Sequence, residues 1–382
     1  MERLRNPVRR YAWGSRSVIA RLQGRPVPSP GPEAELWIGA HPADPSVLAG
    51  SGVPLTEAIV AEPGQVLGEA VRSRFGTRLP YLLKLLAAEA PLSLQAHPDP
   101  EQAAAGYAAE EAAGVPRDAP HRRYVDPYHK PELLVAVSKF RALCGFRDPA
   151  DSAASLAALD VPALAPVVSA LAGGDLAGAV RWLLAVPEPG ALVAEVVAAA
   201  KRSGTAALAG ELAAAYPRDA GVVLALLLNE VTLTPGEAIF MPAGNLHAYL
   251  AGTGVEIMAA SDNVLRGGLT SKHVDVPELL RVLRFEPLPD PVLSPVAVDP
   301  AVVTWPVPVA EFALHRVRPS GAKVTLPVAG PRTVLCLAGE IHADDGVASV
   351  TLGPGQAAIA RADSGALTLA GAGEAYVASV PG

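Results

Sequence analysis

Only two cysteines occur in 382 residues, Cys144 and Cys336, and they stand far apart. That excludes a disulfide framework and a thiolate metal site. The expected role of each is a small buried hydrophobe in a reducing compartment. Aromatic residues are also scarce, at 5%, so the apolar half of the chain is mostly Ala, Val and Leu. Positive charge is in deficit: 31 Lys and Arg against 38 Asp and Glu leave a formal charge of -7. Such a chain is a poor partner for nucleic acid or an anionic membrane. Any anion it handles must be met by cations gathered locally. Charge or proline interrupts every apolar stretch before the roughly 18 residues a transmembrane helix needs. The N-terminal MERLRNPVRRYAWGS lacks the apolar core of a secretory signal. The expected setting is the cytoplasm, and the expected state a monomer.

Glycine and proline, by contrast, are plentiful, at 35 and 38 residues. They follow no repeat period, which points to frequent turns between short strands. In residues 1–147, apolar runs at Glu35–Ala40, Tyr81–Ala87, Leu92–His97 and Leu133–Ser138 have the length and flanks of strands. Lys84 interrupts one of them, either as a snorkelling edge lysine or as a pocket residue. Residues 149–228 read differently: Leu and Val recur at three- and four-residue spacings in an alanine background, a helical pattern. Asp160 and Asp175 mark expected helix starts there. Residues 229–262 return to strand signals. Asp275 and Pro277 open a short helix, and 290–382 is valine-rich with turns such as LGPGQ at 352–356. The expected fold class is mainly β with an α insert.

Four segments carry chemistry. In LSLQAHP (92–98), strand alternation puts Ser93, Gln95 and His97 on one face. In DPYHKPEL (126–133), Pro131 disfavours helix, so an extended backbone puts Lys130 and Glu132 on one face and His129 on the other. In 234–247, Thr234-Pro235-Gly236-Glu237 has the signature of a type II turn. The hairpin that follows presents His247 at the start of a strand. In SDNVLRGGLTSK (261–272), Arg266 and Lys272 flank Gly267-Gly268, where backbone amides can approach an anion. Each segment alone has an ordinary explanation as a solvated face, turn or loop. Together they offer imidazole, carboxylate and amide oxygen, a donor set that suits zinc. Two histidines, one glutamate and a glutamine leave the ion a net positive charge for polarising an incoming oxygen.

The run G-x5-P-x-G-x2-H from Gly236 to His247 matches the second cupin motif, except that Ala251 replaces its final Asn. With LSLQAHPD (92–99), DPYHKPEL (126–133), SDNVLRGGLTSKHVDVPEL (261–279), YAWGS (11–15) and AELWIGAHP (34–42), the chain closely resembles the type I phosphomannose isomerases over residues 7 to 285. The resemblance implies two cupin-type β-barrels (jelly rolls) and a helical domain. The catalytic barrel would be 1–148 with 229–289, the insert 149–228, and a metal-free cupin-like unit 290–382. It implies one Zn²⁺ held by Gln95, His97, Glu132 and His247. The implied reaction interconverts mannose 6-phosphate and fructose 6-phosphate. Arg266 matches the family's proposed catalytic arginine, and Lys84, His129, Lys130 and Asp262 match positions bordering the substrate.

Such an isomerisation moves a proton from C2 to C1 through an enediol, so positive charge is needed beside O1 and O2. Zinc, Lys130 and Arg266 are candidates. Arg266, Lys272 and Ser93 are candidates for the phosphate, and Trp13 is either a pocket wall or a core residue. Arg266 thus has two assignments, and the base lies between Lys130 and His129. A non-catalytic sugar-phosphate-binding cupin and an iron-dependent cupin oxygenase are the competing readings.

Overall fold

The computed structural model describes residues 1–204 and 206–382. Among the described residues, two antiparallel sheets, of eleven and ten strands, make up the β structure. The larger is drawn from strands between Val8 and Leu293. The smaller takes most of its strands from residues after 296. Two exchanges cut across the expected segment boundaries. The N-terminal Glu2–Arg5 strand pairs with Ala357–Ala360 and with Val47–Leu48 in the smaller sheet. Val292–Leu293 pairs with Ala238–Met241 in the larger.

The expected strands form at Glu35–Gly39, Tyr81–Ala88, Leu94–Ala96 and Glu132–Ala136. Period-two alternation then divides their side chains. Along Tyr81–Ala88, Tyr81, Leu83, Leu85 and Ala87 pack into a core shared with Trp305, Phe312, Leu314, Leu335 and Tyr376 of the smaller sheet. Leu82, Lys84 and Leu86 face a cavity inside the larger sheet. Each fully buried Leu or Phe in the shared core contributes about 1.5–3 kcal/mol, which ties the two sheets face to face.

Between the strands Phe140–Phe146 and Leu228–Leu233, the described residues form six α-helices from Pro149 to Leu224. Phe146 and Leu228 are themselves cross-strand partners, so the helical stretch leaves and re-enters the sheet at one place. In Gly190–Ser203, Leu192, Val193, Val196, Ala199 and Ala200 are buried, one face of a helix. This helical core is continuous with Leu94, Ala96, Leu246, Ala248 and Leu269, so the helices pack directly behind the strands that carry the site. The Asp175 side chain accepts from Gly178 N–H, and Asp275 from Glu278 N–H, as N-caps do. Asp160 caps nothing. It takes a left-handed φ of 52°, and a 3₁₀ turn, Pro162–Leu164, follows.

Several helices lie in residues 1–147, where only strands are expected from the apolar runs. They are Val18–Leu22, Leu55–Ala61, Pro63–Leu67, Glu69–Phe75 and Pro100–Ala112. The last carries a reciprocal capping box between Asp99 and Gln102 with Pro100 in the first turn. That D-P-x-Q pattern is a readable start signal. Cys144 and Cys336 are free and buried, and burial pushes their thiols up to about 12 and about 11. Among the described residues no helix is long and apolar enough to cross a membrane.

Candidate active site

The long strand His247–Ala259 organises the site. The Thr234–Glu237 turn closes with a Glu237 N–H to Thr234 O bond of 3.0 Å and a Gly236 φ of 99°, as type II geometry requires. The chain then runs through Ala238–Met241 and a tight turn at Pro242–Asn245. In that turn Gly244 takes φ 76° and lies where a Cβ would meet Arg284 and the Val282 carbonyl. His247 emerges opposite Gln95, and Gln95 lies opposite Arg266. Directly opposed residues share a face, so His247, Gln95 and Arg266 form one row. Further along the same strand, Glu256 lies opposite Lys84, and Lys84 opposite Trp37. Met258 lies opposite Glu132.

Nitrogen atoms of His97 and His247 and an oxygen of Glu132 all lie within 4.8 Å of one another, and all three residues are buried. His97 Nε2 is 3.3 Å from Glu132 Oε1, and His247 Nε2 is 3.3 Å from Glu132 Oε2. The far ring nitrogens set the tautomers. His97 Nδ1 donates to the Asn263 carbonyl at 2.7 Å, and His247 Nδ1 to the Asn245 carbonyl at 2.9 Å. Each Nε2 therefore presents a lone pair. His97 Nε2, His247 Nε2 and Glu132 Oε2 are buried without any hydrogen-bond donor. Converging acceptors left unsatisfied in the interior call for a cation. Two imidazoles with backbone-fixed tautomers and one carboxylate are a donor set that zinc takes. Burial holds the His97 imidazole down to about 4, and so neutral. Burial pushes the Glu132 carboxyl up, but the neighbouring Lys130 ammonium outweighs it and keeps it well below the usual range. Gln95 borders the same cavity.

The cavity holds about 680 Å³. Four cations line it, in two kinds of setting. Lys130 Nζ is 3.2 Å from Glu132 Oε1. Lys84 Nζ is 2.9 Å from Glu256 Oε2 and 3.6 Å from Glu35 Oε1. Burial disfavours the Lys84 ammonium, but the two carboxylates outweigh it and raise its pKa. Glu256 also accepts from the Tyr249 hydroxyl at 2.7 Å, and Glu35 from the Trp37 indole at 2.7 Å. Burial raises the Glu256 pKa. Arg266 and Lys272, by contrast, have no ion pair to a carboxylate among the described residues. The Arg266 charge lowers the Lys272 pKa, so the two cations face a common space.

Ser93, Trp13 and Asp262 also line the cavity. Asp262 Oδ2 is 3.1 Å from His41 Nε2. Burial raises the Asp262 pKa, but His41, Lys130 and Lys84 bring it below the ordinary value. His129 is the exception among the residues expected to border the substrate. It does not line the cavity, and its Nε2 lies 2.7 Å from Glu311 Oε1. The extended backbone before Pro131 sends Lys130 and Glu132 inward and His129 outward, by the alternation that the sequence implies.

The sequence reading missed Glu35, Glu256, Tyr249, Trp37, His41 and the loop lock of Asp126 with Asn263. Asp126 accepts from Ser261 Oγ and Asp262 N–H, both at 2.8 Å, while Asn263 Nδ2 donates to the Asp126 carbonyl at 2.7 Å. This lock holds the Asn263 carbonyl that His97 uses. The available signal was carboxylates embedded in apolar strands, Glu35 in ELWIG and Glu256 in VEIM, which need buried cations.

Residues 1–149 match the family model of the phosphomannose isomerase type I catalytic domain. The mannose-6-phosphate isomerase of Escherichia coli (strain K12) is 38% identical over 386 residues, spanning 98% of each chain. That of Salmonella typhimurium (strain LT2) is 37% identical over 397 residues, again 98% of each. A crystal structure of a mannose 6-phosphate isomerase bound with zinc and yttrium superposes with a TM-score of 0.90 at 36% identity, covering 100% of this chain and 99% of the other. A zinc-bound holo structure of a mannose 6-phosphate isomerase gives a TM-score of 0.89 at 35% identity over 99% of both chains. By full-length similarity in both sequence and fold, this chain belongs to the mannose-6-phosphate isomerase family.

Proposed function

We propose that this chain is a zinc-dependent aldose–ketose isomerase that interconverts D-mannose 6-phosphate and D-fructose 6-phosphate. The observation that carries the reading is a cluster of three buried acceptors without donors, His97, His247 and Glu132, whose Glu132 lines the same cavity as two cations without carboxylate partners. The first feature needs a metal and the second an anionic substrate. The relatives' names and their zinc-bound structures support both assignments. An iron-dependent oxygenase gives no role to the two cations.

In this reading His97, His247 and Glu132 hold the zinc, with Gln95 as fourth ligand. When bound, the ion supplies Lewis acidity toward the sugar oxygens. Arg266 and Lys272 take the phosphate, helped by Ser93, Thr270 and Ser271. Arg266 stands beside Gln95 and so reaches from the phosphate toward the reacting carbons. Lys130 keeps positive charge next to O1 and O2, where the enediol develops negative charge. For the proton passed between C2 and C1 we assign Glu256. It lines the cavity, its pKa is raised by burial, and a base works best with a pKa near the operating pH. Lys84 and Tyr249 hold its two oxygens in place. Asp262, kept low by its neighbours, serves as a hydrogen-bond acceptor for sugar hydroxyls, and Trp13 as a wall. His129 has no contact with substrate.

The finer architecture also belongs to this reading. Apart from the strands exchanged at Glu2–Arg5, Val47–Leu48 and Val292–Leu293, the larger sheet is a catalytic cupin jelly roll formed by 1–148 and 229–289, with 149–228 inserted and 290–382 a metal-free cupin-like unit. The pairing of Phe146 with Leu228 supports the insertion. The protein is a cytoplasmic monomer. Its exposed edge strand, Val296–Asp299, is short and bracketed by Pro295 and Pro300, which discourages pairing with a second copy.

A coupled assay on mannose 6-phosphate, run before and after chelation, tests the proposal. Activity should vanish with the metal and return with zinc. Full turnover by metal-free protein overturns the zinc assignment. Calorimetric binding of mannose 6-phosphate without fructose 6-phosphate formation by the zinc-loaded protein overturns the catalytic one.

A further inference from the structure

The cation Lys272 sits at the end of a turn whose backbone is unusual. Gly268 has φ 133°, and Leu269 has φ 54°, a left-handed conformation that a bulky residue adopts only when its surroundings impose it. Leu269 is buried in the core of the helical segment and also borders the cavity. The constraint on this turn comes from 216–221, the stretch that links helix Ala207–Ala215 to helix Gly221–Leu224.

Two features of that stretch grip the turn. First, Asp219 accepts two backbone amides: Oδ1 takes Gly221 N–H at 2.7 Å, and Oδ2 takes Thr270 N–H at 3.1 Å. Thr270 follows Leu269 directly, so the second bond fixes the chain just after its strained residue. Second, Gly221 and Gly268 meet backbone to backbone. A Cβ on Gly221 would lie 2.8 Å from Leu269 N and 2.9 Å from Gly268 Cα, and one on Gly268 would lie 2.7 Å from Gly221 Cα. The same stretch contributes Tyr216 to the cavity lining, beside Leu269, Thr270, Ser271 and Lys272. An acidic side chain this close to an anion site works against anion binding, so a structural use of its two oxygens accounts for its presence. Here both are committed to amides of the two segments it joins.

We propose that Asp219 is a positioning residue that clamps the phosphate-binding turn 268–272 to the helical segment, so that the helices set the affinity for the phosphate group. The inference rests on the reading of Arg266 and Lys272 as phosphate contacts. It makes the helical segment part of substrate recognition. Asp219 touches no substrate itself; it acts through the placement of Thr270, Ser271 and Lys272.

The test uses the zinc-loaded full chain and reads the KM for mannose 6-phosphate, kcat, and the inhibition constant of inorganic phosphate. Asp219→Ala leaves two amides without their acceptor, and the expected result is a rise of about tenfold in both KM and the phosphate inhibition constant. The expected change in kcat is smaller, and zinc content is unchanged. Lys272→Met alone should raise the same two constants. In the Lys272→Met background, the effect of Asp219→Ala should shrink, because part of it acts through the Lys272 contact. If Asp219→Ala does not fold, Asp219→Asn, which keeps one acceptor, is read in the same way with a smaller shift. Unchanged KM and phosphate inhibition in a folded Asp219 variant overturn the proposal, as does full additivity with Lys272→Met. If Lys272→Met and Arg266→Met both leave phosphate inhibition unchanged, the phosphate-site reading itself fails. The two failures are thereby distinguished.

Discussion

Both sheets are antiparallel, and each is organised by thirteen-residue strands: His247–Ala259 in the larger, and Arg332–Asp344 and Leu367–Ser379 in the smaller. Their inward positions are filled in opposite ways. The smaller sheet encloses Val302, Val334, Cys336, Ile341, Leu352, Leu369 and Val377 in one apolar cluster. The larger places Glu132, Lys84 and Glu256, all buried, around a cavity, with His97 and His247 buried behind it against Glu132. The difference lies in the inward positions rather than in the backbone plan. Where those positions are Val, Ile and Leu, side chains fill the interior. Where they are ionisable, each must find a partner, and the two histidines and the glutamate find one another with room for a metal between them.

The sharpest way to break this contrast is Glu132→Ala. It removes the one carboxylate shared by His97, His247 and Lys130, leaving the Lys130 ammonium buried without its partner. We expect loss of bound zinc by elemental analysis and a fall in kcat/KM of more than about 10³-fold, the combined cost of a lost metal and lost charge stabilisation. The counterpart in the smaller sheet is Leu369→Ala. It opens a cavity in a dry core and should cost about 2–5 kcal/mol of stability in denaturant titration, with kcat/KM unchanged in the folded protein. A loss of turnover in the folded variant would mean that the smaller sheet is more than a support.

The smallest expected effect is the pH response of metal-free protein. Folding lowers the His97 pKa from 6.5 to about 4. The unfolded chain therefore takes up this proton first as pH falls. The stability that the neutral, buried imidazole permits is fully present above pH 6.5 and is lost progressively as pH falls toward about 4, the direction required by linkage. Denaturation midpoints across that window should decline for the native chain and flatten in His97→Asn. An unchanged slope in that variant would shift the effect to other groups.

Much of the site was legible because its logic is local. Strand alternation grouped Ser93, Gln95 and His97, and it separated Lys130 and Glu132 from His129. The structure turns His129 to Glu311, as parity requires. The Pro235-Gly236 turn and the caps at Asp175 and Asp275 were legible for the same reason, since each is a short-range hydrogen-bond pattern. Asp160 shows the limit. An aspartate before an apolar run has the right type for a cap, but the left-handed turn it enters depends on how the neighbouring helices pack. Glu35 and Glu256 were missed because their meaning is their distance to Lys84, and strands far apart in the chain bring them together.

By itself the sequence determined which side chains share a strand face, that an alanine-rich stretch has helical periodicity, and that imidazole, carboxylate and basic side chains occur in a few short segments. Those properties follow from residue type and from backbone periods of two and 3.6. Only the tertiary structure decided which faces look inward. It showed that Lys84 and Lys130 are ion-paired with carboxylates while Arg266 and Lys272, among the described residues, are not. It also showed that the first strand joins the sheet made by the last, and that residues 216–221 hold the turn bearing Lys272. These outcomes rest on contacts between segments tens to hundreds of residues apart, and such distances arise only once the sheets and helices have packed.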